Sequence, residues 1–122
     1  MKNNTIITFD IDAEGNKYWY KNEKIHKDGG PAIEYANGNQ AWYQEGKLHR
    51  LDGTAIVCLS GVERWYKDGK LHRENAPAII FADGSKEWWI NGEKISEQEV
   101  NAMILFKELP VFETSIKAKI KI

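Results

Sequence analysis

Four tryptophans, Trp19, Trp42, Trp65 and Trp88, stand 23 residues apart without a gap, and each is followed at once by a second aromatic residue, Tyr20, Tyr43, Tyr66 or Trp89. A fixed period of this length means one supersecondary unit copied in tandem, each copy burying its apolar side against its neighbours. Other rows keep the same register. Gly15, Gly38, Gly61 and Gly84 form one; Gly46, Gly69 and Gly92 form another, with Glu23 in that place in the first copy. Ala32, Ala55 and Ala78 precede Ile33, Ile56 and Ile79, while His26, His49 and His72 precede Lys27, Arg50 and Arg73.

Each unit reads as short strands joined by tight turns. Asn37-Gly38, Asp68-Gly69, Asp83-Gly84 and Asn91-Gly92 predict primed hairpin turns, whose two central residues both need positive φ. Trp and the aromatic residue after it alternate, so they face opposite sides of a pleated ribbon. The Trp row is the expected core, and the row of Tyr20, Tyr43, Tyr66 and Trp89 the expected contact surface. Cys58 shares its place with Tyr35 and Phe81 and is expected to be an inward apolar filler.

The repeat gives way at Ser96. Ser96 and Glu99 have the spacing of a capping box, and a greasy helix is predicted from about Glu97 to Leu109, stopping before Pro110. Its place is over the open end of the stack. Phe112, Ile116, Ala118, Ile120 and Ile122 then alternate with Glu113, Lys117, Lys119 and Lys121, which predicts a half-buried final strand that returns along the stack or pairs with a second copy as a homodimer. The fold class is mainly β: tandem 23-residue β-hairpin repeats in an elongated meander sheet, with a C-terminal capping helix and a final strand. One domain, 1–122, divides into an N-terminal strand (1–12), repeats (13–95), helix (96–109) and strand (110–122).

Composition narrows the function. The 122 residues carry a net charge of −1, too little positive excess for a general nucleic-acid binder. The chain has no stretch of about 20 apolar residues and opens without a charged-then-apolar leader, so neither a membrane span nor secretion is expected. Cys58 is the single cysteine, which fits a reducing compartment, the cytoplasm.

The stretches WYQEGKLHRLDGTAI and WYKDGKLHRENAPAI resemble MORN-type repeats, closest to a divergent phage and bacterial form with a WYxxGKLHRxDGPA consensus. The resemblance covers residues 13–95 and implies a twisted sheet of hairpins that binds other proteins or phospholipids, with no catalytic residues. It also implies a phage or mobile-element setting, where such a protein would block a host factor in the host cytoplasm. Pro31 and Pro77, each followed by Ala, depart from the usual pattern.

The residues themselves favour binding over catalysis. Three His at one repeat position lie about 10 Å apart in neighbouring hairpin units, too far for one zinc ion whose ligands sit about 2.0–2.1 Å away. Each is expected to anchor a loop to the next unit, and no metal or cofactor is called for. Ser60, Ser85, Ser96 and Ser115 lack the base and orienting group that a nucleophile needs. Asp10, Asp12 and Glu14 read as an acidic strand edge. What remains is the aromatic and basic face: Tyr20, Tyr43, Tyr66, Trp89, Arg50, Arg73, His49 and His72 are the candidate binding residues. Arg and Lys stems over aromatic rings form a mixed-charge surface, since Lys17 to Lys94 holds 12 basic against 11 acidic residues. A protein partner is the first expectation and a small anionic ligand, such as a nucleotide or phospholipid headgroup, the second; nucleic acid and a membrane surface are not expected.

Overall fold

Two kinds of turn alternate along the chain and fold each unit into two hairpins. In the computed structural model, which describes residues 4–106, Glu45-Gly46, Asp68-Gly69 and Asn91-Gly92 have both φ values positive, as does Asn22-Glu23. These are primed turns, matched to the twist of the strands they join. Asn37-Gly38 and Asp83-Gly84 differ from the expectation, because only the glycine is at positive φ. The reason is a competing local bond: Asn37 Oδ1 accepts the N–H of Asn39, and Asp83 Oδ1 accepts that of Ser85, which holds the first residue in an Asx turn. Gly38 and Gly84 then donate N–H to Tyr35 and Phe81 carbonyls, closing three-residue loops with a glycine bulge.

Among the described residues, fourteen strands result. They are β1 (Ile7–Ile11), β2 (Lys17–Lys21), β3 (Lys24–Ile25), β4 (Ile33–Glu34), β5 (Gln40–Ala41), β6 (Tyr43–Gln44) and β7 (Lys47–Leu48). The series continues with β8 (Ile56–Val57), β9 (Glu63–Arg64), β10 (Tyr66–Lys67), β11 (Lys70–Leu71), β12 (Ile79–Ile80), β13 (Lys86–Ile90) and β14 (Glu93–Ile95). The bulged turns join the inner hairpins, which run as one antiparallel meander in the order β1-β2-β4-β5-β8-β9-β12-β13-β14. The primed turns join the outer hairpins, β2–β3, β6–β7, β10–β11 and β13–β14.

Close backbone approach dictates the inner core. Ala32, Ala55 and Ala78 expose no surface at all, and each carbonyl takes the N–H of a Trp, from Trp19, Trp42 and Trp65 in turn. Ile33, Ala41 and Ile79 complete the row. All four repeat tryptophans are half-buried, as are Tyr20, Tyr43, Tyr66 and Trp89. The division into a core row and a surface row is therefore not what the chain adopts.

Cys58 is corrected likewise. Its position opens the bulged turn, with its carbonyl accepting the Gly61 N–H, and it is half-buried while the equivalent Tyr35 is exposed. Among its neighbours, Arg64 Nη1 lies 3.9 Å from the sulfur.

The helix α1 (Glu97–Phe106) starts on the capping box: Glu99 N–H donates to Ser96 Oγ at 3.1 Å and Ser96 N–H to Glu99 Oε1 at 3.2 Å. Val100 packs on Ile90 and Ile95 beside Trp88 and Met103, so the helix covers the β14 end of the sheet. The expected helical residues 107–109 and the expected strand 110–122 lie outside the described residues. Among the described residues, no helix is long and apolar enough to cross a membrane.

Candidate functional site

The histidine row builds the link between units. Nδ1 of His26, His49 and His72 accepts the N–H of Glu45, Asp68 and Asn91, at 2.9, 3.0 and 2.9 Å. Each donor is the first residue of the next unit's primed turn, 19 residues on. A ring nitrogen that accepts carries no proton, so the proton sits on Nε2; in His26 that N–H donates to Asp28 at 2.8 Å. Gly46, Gly69 and Gly92 add backbone bonds to the carbonyls of Ile25, Leu48 and Leu71. Among the described residues, no three His, Cys, Asp or Glu side chains gather where they could hold a metal ion.

Beside each histidine, the next side chain folds back over the tryptophan eight residues before it. Lys27 Nζ lies 3.8 Å from the Trp19 ring centre, and the Arg50 and Arg73 guanidiniums 3.7 Å from those of Trp42 and Trp65. Each such contact contributes about 0.5–2 kcal/mol, depending on how far it is desolvated. Arg50 is held further by Thr54 carbonyl at 3.0 Å and Asp52 at 3.2 Å, and Arg73 by Pro77 carbonyl at 3.2 Å. Gly53 makes room, since a Cβ there would meet Arg50 Cζ at 2.6 Å. Trp42 and Trp65 have a cost on the other side: their indole N–H groups are buried with no acceptor among the described residues, worth about 1–3 kcal/mol each.

Where two of these cations come close, the surface is hollow. A groove of about 230 Å³ is lined by Arg50, Leu51, Trp65, Lys67, His72, Arg73 and Glu74. Three cations face one carboxylate there, and Glu74 is drawn to His72 Nε2 at 3.7 Å. Lys67 forms no ion pair among the described residues. Leu51 stands 68% exposed at the rim. Two guanidiniums fixed in place and one free ammonium make a preorganised seat for an oxyanion, with an apolar shelf beside it.

Of the residues singled out from the sequence, Arg50, Arg73 and His72 come together in the groove, and His49 is spent on the turn of the third unit. Tyr20, Tyr43, Tyr66 and Trp89 lie outside its lining. They face Ile25, Leu48, Leu71 and Lys94 across their hairpins. Burial, with Tyr35 and Tyr66 adding to it, pushes the Tyr43 hydroxyl up from its ordinary pKa. Trp89 Nε1 donates to Glu87 at 3.0 Å, and that bond, with Lys94 helping, holds the Glu87 carboxyl below its usual range. Leu51, Lys67 and Glu74 were not legible as site residues, because they occupy places that vary from unit to unit. The acidic edge also differs: Asp12 accepts N–H bonds from Glu14 and Asn16 and the Tyr18 hydroxyl, which makes it the organiser of the first turn.

Comparison with protein-family models, curated proteins and solved structures returns no match.

Proposed function

We propose that the protein is a non-enzymatic interaction module of MORN type that holds a partner protein through the face carrying the basic groove. The observation that carries this reading is the pairing of a cationic seat with an exposed leucine on its rim, an arrangement suited to an acidic side chain flanked by apolar ones. Fixing the two guanidiniums against Trp42 and Trp65 before binding lowers the ordering cost of the contact. The resemblance of the repeats supplies the finer setting, a phage or mobile-element protein that blocks a host factor in the cytoplasm.

Capture from bacterial lysates tests it. The chain is expected to retain one stoichiometric protein, and Lys67→Glu, which reverses the free charge without touching a structural bond, is expected to weaken retention about tenfold or more. Equal retention by the variant would exclude the groove as the contact. The same three cations also favour a second reading, a small anion such as a nucleotide or phospholipid headgroup. A rise in melting temperature with these ligands, abolished in Arg73→Ala, would move the assignment there.

A further inference from the structure

The repeat supplies a cation after each histidine, at Lys27, Arg50 and Arg73. What varies is the residue two places after each tryptophan. In the second unit it is Gln44, whose side-chain N–H is tied to the Lys27 carbonyl at 2.9 Å. In the fourth it is Ile90, buried against Ile95 and Val100. In the third it is Lys67, half-buried and in no ion pair among the described residues. Lys21 holds this place in the first unit, before the row of outer cations begins. Arg50 N–H donates to the Tyr66 carbonyl at 3.0 Å, which sets β10 and its Lys67 beside Arg50. Three cations therefore meet at one junction, between the second and third units.

We propose that the groove takes a phosphorylated serine or threonine of the partner protein, an inference that rests on the groove being the contact face. Charge and donor supply both favour phosphate over a carboxylate. Arg50, Lys67 and Arg73 against Glu74 leave two net positive charges in the lining, and Asp52, the exposed partner of Arg50, stands outside it. A carboxylate brings one negative charge and two oxygens. A phosphate monoester carries about −1.5 to −2 at neutral pH and offers three acceptor oxygens, one for each cation. The guanidiniums have donors to spare. Bonds to Asp52, Thr54 and Pro77 occupy Arg50 Nε and Nη1 and Arg73 Nη1, which leaves Arg50 Nη2 and Arg73 Nε and Nη2 without an acceptor among the described residues. Leu51, exposed at the rim, is a shelf for an apolar residue next to the phosphorylated one.

Other carriers of phosphate fit these surroundings less well. A nucleotide base needs an open ring to stack on, and the one aromatic ring in the lining, Trp65, lies under the Arg73 guanidinium at 3.7 Å. A membrane headgroup calls for a broad basic surface of about 4–8 Lys or Arg. Here Asp52, Asp68 and Glu74 stand exposed within two positions of the three cations, so the positive field stays local.

Binding of defined peptides to the full chain tests this. A library with phosphoserine fixed and its flanking residues varied is expected to yield members held one per chain, with leucine, isoleucine or valine enriched beside the phosphoserine. The same sequences with serine or aspartate at the centre should bind about tenfold or more weakly. Lys67→Glu and Lys67→Gln should each weaken the phosphopeptide about tenfold. Lys67→Gln installs the residue that the second unit already carries, and it keeps the test should the charge reversal disturb folding. Aspartate and phosphoserine forms held equally, both sensitive to Lys67→Glu, would overturn the phosphate and leave the groove as an acidic contact. A library with no retained member would also overturn it, and phosphopeptide binding indifferent to both variants would remove the groove as well. ATP, or phosphatidic acid in phosphatidylcholine vesicles, bound through Lys67 more tightly than any phosphopeptide would hand the seat to a nucleotide or a lipid and overturn the proposal.

Discussion

The inner and outer hairpins of a unit are joined to their neighbours by different means. The inner meander is an unbroken main-chain ladder from β1 to β14, and its core asks only for side chains small enough to let strands meet, as Ala32, Ala55 and Ala78 do. The outer hairpins β6–β7 and β10–β11 stand as separate two-stranded pieces. They are tied across by a glycine N–H and an imidazole, while a cation closes over the tryptophan of its own unit. One layer is specified by size, the other by chemistry, so different substitutions break them.

The largest expected effect is on the inner layer. Ala55→Leu has no space to occupy and should cost about 3 kcal/mol, read as a lower melting temperature of the whole cooperative unit by calorimetry. His26→Ala comes next, at about 2 kcal/mol, because it leaves the Glu45 N–H without its acceptor and empties a buried site. Hydrogen exchange sharpens the contrast. The Glu45 amide should lose protection while the Ala32 amide keeps it, and equal loss at both would show that the two layers open as one. The smallest effect is a gain: Glu23 sits at a φ of 68° where later units have glycine, so Glu23→Gly should stabilise the first outer hairpin by about 1 kcal/mol. A loss in urea titration would mean that the Glu23 side chain contributes more than its backbone costs.

Much of the fold was legible because the period exposes the same residue type at each junction. The capping box, the histidine anchors and the primed turns at Asp68-Gly69 and Asn91-Gly92 follow from local chemistry alone. Asn37-Gly38 and Asp83-Gly84 carry the same dipeptide signal yet form bulged turns, since the deciding bonds run to Asn39 and Ser85 and depend on where the strands stop pairing. Burial of the aromatic rows was illegible for another reason. Alternation tells which residues share a face, but not how far each face is covered. The groove was partly legible: Arg50, Arg73 and His72 belong to rows, whereas Leu51, Lys67 and Glu74 acquire their meaning only when adjacent units are brought together.

The forward reach of each imidazole onto the following turn has an evolutionary corollary. An inserted copy of 23 residues would arrive with a socket for the unit before it and a plug for the unit after it, so the array can grow or shrink by whole units without redesigning a junction. Length is thus free to drift by whole units, while the end pieces stay as they are.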